Sequence, residues 1–310
     1  MEPEQAVSWF RKAAELGNAD GMCSLGLCLY QGIGVERDLI QAVRCFQKAA
    51  VGGSVRGMFN FGFCLYQGSG IRRDYEQAAS WYMRAADLGH VDSMYHLGRC
   101  FYTGNGVLKD RYAAAAWFLQ AATAESVLGM VSLGVCFYEG HGVDRSSEAA
   151  AEWFHKAAGL GSPDGLNSLA ICSLWGEGVG EDAEDAIKLF QQAAGLGSGT
   201  AMVNLGHCYQ WGMGVEQDAN AAKDWYSKAA DIGDVYGMYY LGSAYCEKIS
   251  PKSTELSAPW QRQAQGQDFL MGVSSWPIPV KRVAGAEALE VPVLELPSEA
   301  EGRADAAASN

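Results

Sequence analysis

Nowhere does the chain hold a run of about eighteen apolar residues, the length a membrane-spanning helix requires, so no segment reads as a span. Positive charge is scarce: 23 Lys and Arg stand against 36 Asp and Glu, a formal net charge of −13 over 310 residues. That balance excludes a sequence-independent grip on nucleic acid, which needs clustered cations to displace counterions. It equally disfavours docking on an anionic membrane surface. The first residues, MEPEQAVSWFRKAAELG, form an acidic amphipathic helix rather than a basic stretch before an apolar core. No signal peptide is therefore expected. The hydrolase signatures S-x-x-K, G-x-S-x-G and H-E-x-x-H are missing too.

What is present is repetition. The stretch from Gly89 to Ala124, GHVDSMYHLGRCFYTGNGVLKDRYAAAAWFLQAATA, matches the chain again 36 residues away in both directions. Registers begin at Gly17, Gly53, Gly89, Glu125, Gly161, Gly197 and Gly233. A fixed period of this size means stacked structural units, each burying its apolar face against its neighbours. Residues 2–16 match the second half of a unit, residues 17–232 hold six full units, and residues 233–248 match a first half. The domain expected is 1–249.

Within a unit, numbered from its first residue, a first helix is predicted at positions 3–15 and a second at 23–35. Between them lies G-x-G followed by Val or Ile, as at Gly104, Gly106 and Val107. The first glycine suits a left-handed helix end and the second a tight reversal. Asp38, Asp74, Asp110, Asp182 and Asp218, with Ser146 in the remaining unit, sit where the second helix begins and read as N-caps. In the second helix a constant Ala, such as Ala114, precedes an aromatic such as Phe118 by four residues. Trp9, Trp81, Trp117, Trp153 and Trp225 come immediately before that aromatic position and are expected to pack between layers. After Lys248 the pattern stops at Pro251 and Pro259, and residues 250–310 are expected to be disordered.

Nine cysteines look like many until six of them, from Cys28 to Cys208, are seen to lie 36 apart at one position. Packed helices stand about 8–10 Å apart, farther than a disulfide's Cα atoms allow. The ladder reads as small buried side chains, and the compartment as reducing: cytoplasmic, with the nucleus possible. The five histidines fall at different unit positions and assemble no three-ligand or four-ligand set. His90 and His141 are expected in exposed loops. The repeated G-x-G follows no strand and lacks a third glycine, so no nucleotide site is expected. No catalytic residue, metal or cofactor is expected.

The combination A-x-x-x-LG-x-x-Y, G-x-G-V-x-x-D and A-x-x-W/Y-Y/F-x-K/R-A-A resembles the Sel-one-like repeat family, relatives of the tetratricopeptide repeats. In one unit Leu97, Gly98, Tyr102, Gly104, Gly106, Val107, Asp110, Ala114, Trp117, Phe118, Ala121 and Ala122 carry the likeness. The resemblance implies an all-α fold, an α-solenoid wound as a right-handed superhelix. It implies an adaptor that holds protein complexes together, in signalling or protein quality control, with no common catalytic residue. One branch of the family, cysteine-rich and secreted, pairs cysteines within each unit, and this chain departs from that pattern.

The units can also be compared with one another. Positions 6, 9, 10 and 13 of the first helix share a face and hold similar residues throughout. Positions 4, 8, 11 and 15, with 7 at the edge, vary from unit to unit. Like residues at every layer serve the stack, whereas unlike residues on one face can serve a ligand. The expected site is a concave groove for an extended peptide or helix of another protein. Its apolar anchors are Phe59, Phe63, Tyr95, Trp175, Trp211, Tyr236, Tyr239 and Tyr240, and its polar contacts Arg56, Arg99 and His207. The alternative reading is a targeting or regulatory module of a larger enzyme.

Overall fold

A computed structural model describes residues 3–246, and the expectations for 250–310 lie outside the described residues. Fourteen α-helices fill the described part, with no strand among them. A lone helix α1 (Pro3–Glu15) opens the series. Six pairs follow: α2 (Ala19–Gln31) with α3 (Leu39–Val51), α4 (Val55–Gln67) with α5 (Tyr75–Asp87), and α6 (Val91–Thr103) with α7 (Arg111–Thr123). Then come α8 (Val127–Glu139) with α9 (Ser147–Gly159), α10 (Pro163–Trp175) with α11 (Ala183–Gly195), and α12 (Gly199–Trp211) with α13 (Ala219–Asp231). Helix α14 (Val235–Cys246) stands in the place of a seventh first helix. Each pair occupies the expected unit positions. None of these helices is long and apolar enough to cross a membrane.

Thirteen residues are too few for a helix to hold itself in water, so ends and packing decide. Every second helix from α3 to α13 starts on its expected cap. Asp110, for example, accepts from the backbone N–H groups of Tyr112 and Ala113 at 2.9 and 3.1 Å. The first helices carry a second series of caps that the sequence reading missed, at unit position 2. Asn18, Ser54, His90, Ser126, Ser162 and Ser198 each accept from the backbone N–H three residues on. Each first helix from α2 to α12 then ends on a glycine with φ between 64° and 83°, whose N–H returns to the carbonyl of the ladder cysteine.

The second glycine of the turn does more than reverse the chain. A Cβ on Gly106, already at φ 76°, would collide with the backbone carbonyl of Tyr75 at the start of α5, one unit earlier. The equivalent glycines meet the equivalent carbonyls, from Pro3 under Gly34 to Ala183 under Gly214. The turn of each unit therefore rests on the preceding second helix, and layer spacing depends on a missing side chain.

Within a unit the two helices close by the same device. A Cβ on Gly98 would lie 2.7 Å from the ring of Phe118, and Gly26, Gly62, Gly134 and Gly206 face Phe46, Tyr82, Phe154 and Tyr226 in the same way. These aromatics are buried, and each fully buried large side chain contributes roughly 1.5–3 kcal/mol. Cys64, Cys100, Cys136, Cys172 and Cys208 are buried beside them, and burial pushes their thiols up to about 12. Cys28 is half-buried, and all eight cysteines with described side chains are unbridged. In the tryptophan series Trp81, Trp117 and Trp153 are half-buried and pack against the core as expected, Trp225 is half-buried, and Trp9 departs from expectation at 65% exposed. Over most of them a cation three residues on forms a lid, Lys12, Arg84, Lys156 and Lys228 standing 4.4, 4.7, 4.1 and 3.9 Å from the ring centres.

Successive layers meet unequally. Helices α2 and α4, α8 and α10, α10 and α12, and α12 and α14 approach each other directly. No pair of second helices packs to a comparable extent; each packs on first helices.

Candidate functional site

The variable face of the first helices is laid out by this packing. Position 4 opens to solvent over most of the row: Arg56 is exposed, like Asp20, Asp92 and Leu128. Position 15, at the helix end, is exposed as Gln31, Gln67, Thr103 and Glu139 and half-buried as Trp175 and Trp211. Positions 7, 8 and 11 look toward the neighbouring first helix. Asn60 on α4 reaches the Cys23 sulfur on α2 at 3.4 Å, and Asn204 on α12 donates to Asn167 on α10 at 2.8 Å.

Phe59, Phe63, Tyr95 and Arg99 form one group in the second and third units, all half-buried. His96 sits at its centre, 5.5 and 6.2 Å from the ring centres of Phe59 and Phe63, 5.2 Å from Tyr95, and stacked on Tyr82 at 5.3 Å. Burial, helped by the Arg99 guanidinium and by His90, pushes its imidazole down to about 4. Arg99 lies over the Tyr95 ring at 5.8 Å. Phe59 also packs on His90, 4.8 Å between ring centres.

A second group lies in the sixth and seventh units. His207 is 0% exposed, stacked on Trp211 at 4.8 Å and set edge-on to Tyr240 at 4.4 Å. Its Nδ1 lies 2.9 Å from the Tyr226 hydroxyl, which donates to Gln210 at 2.6 Å. With the hydroxyl hydrogen spent on Gln210, Nδ1 carries the imidazole proton and Nε2 is a buried acceptor without a donor. Burial pushes this histidine down to about 3. Tyr236, Tyr239 and Tyr240 are half-buried on α14, Tyr240 stacking on Tyr226 at 5.6 Å.

His207 therefore cannot be the polar contact expected of it, because no part of it reaches the surface. It braces Trp211 and Tyr240 from behind. His90 and His141 are corrected as well, since neither is a free loop histidine. His90 caps α6 through Nδ1 at 3.2 Å from the Ser93 N–H, and His141 Nδ1 lies 2.9 Å from the Tyr102 hydroxyl. Variation between units does not by itself mark a partner: at positions 7, 8 and 11 it also records matched substitutions between adjacent helices, as in the Asn204 and Asn167 pair. Only the pairing of one unit's position 7 with the next unit's position 8 could have shown this in sequence.

Burial holds the imidazoles of His96 and His207 neutral and the thiols of Cys100 and Cys208 protonated near neutral pH. Among the described residues no group of three His, Cys, Asp or Glu could hold a metal ion.

The comparisons agree with this architecture. The Sel1 repeat model matches residues 2–18, 19–54, 55–90, 91–126, 127–162, 163–198 and 199–234. Among solved structures, c5321, a protective antigen of uropathogenic Escherichia coli displaying an SLR fold, is 32% identical with a TM-score of 0.65. That match covers 86% of this chain and 58% of the antigen, so the chain spans little more than half the antigen's length. A Sel1 repeat protein from Oxalobacter formigenes is 24% identical with a TM-score of 0.69, covering 80% of this chain and 98% of that one. Yeast Tom70, at 14% identity and a TM-score of 0.52 over 84% of this chain and 54% of its own, shares the fold. No curated protein sequence matches. Seven consecutive matches to one repeat model, on helices capped and spaced alike, make this chain a member of the Sel1 repeat family.

Proposed function

We propose that the chain is a non-catalytic scaffold that holds a segment of a partner protein along its row of first helices. The observation that carries this reading is the unequal packing of the layers. Four of the six neighbouring first-helix pairs approach directly and no second-helix pair does so to a comparable extent, and a stack bends toward the side where its layers are closer. That supports the first-helix row as the concave side. Arg56 stands exposed on this row, with Trp175, Trp211, Tyr236 and Tyr239 half-exposed. Arg, Trp and Tyr are the residue types that anchor protein interfaces. Sel1 and related repeat proteins mediate protein–protein contacts in general, and this chain shares their fold. A part in signalling or quality control, in the cytosol or nucleus, belongs to the same proposal and turns on the partner's identity.

A photo-crosslinking residue placed singly at Arg56, Trp175 and Tyr236, and at Lys48, Glu152 and Lys188 on second helices, tests the reading in native extract. Crosslinks to the same partner from the first three positions and not from the last three are expected. Crosslinks confined to the second-helix positions would put the binding face on the other side.

A further inference from the structure

Charge is not spread evenly along the stack. Residues 3–124 carry 12 Lys and Arg against 10 Asp and Glu, whereas residues 125–246 carry 5 against 16. The fourth to seventh units are thus strongly anionic beside a nearly balanced first half.

The few cations of the anionic half sit in a turn or on second helices, with Arg145 lying 5.9 Å over the ring of Tyr138 on α8 and Lys223 5.8 Å over that of Tyr245 on α14. Helices α8, α10, α12 and α14 contain no Lys or Arg. Arg145 pairs with Glu177 at 3.9 Å in a turn, and Lys156 and Lys228 lie over Trp153 and Trp225 on second helices. The first-helix row offers instead Glu139 and Asp164, on α8 and α10, with Trp175 and Trp211.

These two tryptophans break the pattern the others set. Trp9, Trp81, Trp153 and Trp225 each have Lys or Arg three residues on, and in each case that cation covers the ring. Trp117, with Gln120 in that place, packs against the core. Trp175 and Trp211 have Gly178 and Gly214 three residues on, and no cation among the described residues lies over either ring. The Trp175 Nε1 is buried, so the exposed side-chain surface there is carbon. One face of Trp211 is held by His207. A cation over an aromatic face is favourable, by about 0.5–2 kcal/mol according to its exposure.

From this we infer that the first-helix row of the fourth to seventh units receives a basic segment of the partner, with Lys or Arg side chains laid on Trp175 and Trp211. The carboxylates of this half supply the long-range attraction, and the two indoles supply the seats. The inference rests on the scaffold reading and adds the partner's chemistry.

Three synthetic peptides of one length test it on the full chain: Leu alternating with Lys and Arg, with Glu and Asp, or with Gln. Binding is followed by tryptophan fluorescence and by calorimetry at low and high salt. The basic peptide should bind at least tenfold more tightly than the other two and weaken as salt rises. A Trp175→Leu, Trp211→Leu double variant, with its fold checked by circular dichroism, should lose about tenfold, and the Trp→Phe pair should recover part of it. Equal binding of all three peptides, sensitive to the double variant, would overturn the basic partner and leave the groove standing. Tight binding of the basic peptide that ignores the double variant would remove the tryptophan seats. Binding of no peptide would overturn the basic partner as well, and crosslinks from none of the six positions would sink the scaffold reading itself.

Discussion

The two halves of the stack are built on one plan and present opposite faces. Units one to three and units four to six share the cap, the turn glycines, the ladder cysteine and the small residue facing a buried aromatic. Yet the first half has Arg56 and Arg99 on its first helices, and the second has no cation there and two tryptophans. The difference shows that positions holding the layers together are largely separate from those facing outward. One set can be fixed while the other drifts.

If the halves differ only on their faces, equivalent core substitutions should cost the same in both. Phe118→Ala and Phe190→Ala should each lose about 4 kcal/mol in urea unfolding, the range for emptying a buried aromatic. Unequal losses would show that the plan itself differs between halves. A second test uses a natural exception. The fifth unit carries a fully buried Ala170 where the third has Gly98 against Phe118. Gly98→Ala should cost about 2 kcal/mol through overpacking. A neutral or stabilising result would mean that α6 and α7 can take up a methyl group as the fifth unit does at Ala170.

The two histidine clusters sharpen the comparison through pH. Both imidazoles titrate below the ordinary value of 6.5, His96 at about 4 and His207 at about 3. Below 6.5 the unfolded chain therefore binds protons that the folded chain refuses, so stability falls as pH falls. The loss runs on to about 4 for His96 and about 3 for His207, at about 1.4 kcal/mol per pH unit for each histidine. His207→Gln should flatten this dependence between pH 6.5 and 5, read from thermal melts, leaving what His96, His90 and His141, all lowered by burial, contribute. An unchanged slope would remove His207 from the account. The smallest effect is at the caps. Ser162→Ala should cost about 1 kcal/mol, and Ser54→Ala more, because Ser54 also donates to Asp20 at 2.7 Å. Equal costs would show that the Asp20 bond contributes nothing.

The repeat, its helix bounds and the second-helix caps were legible because they recur at each register, and recurrence filters out local accident. Position 2 was overlooked because Asn18, Ser54 and His90 look unrelated until their shared acceptor role is seen. The exposure of the candidate residues was legible only in part: Arg56 is exposed and Trp175 and Trp211 are half-exposed, whereas His207 is buried. Variation alone cannot separate a residue facing a partner from one facing the next helix.

By itself the sequence determined what each unit is: two short helices, a glycine turn, and a core of small residues against aromatics. Those are local properties, set by backbone freedom at glycine, by capping side chains and by apolar spacing. Tertiary structure decided which varied residues stay at the surface, since that depends on how closely one first helix approaches the next. It also decided that Gly106 carries no side chain for the sake of α5, 31 residues earlier at Tyr75, a contact no local pattern contains.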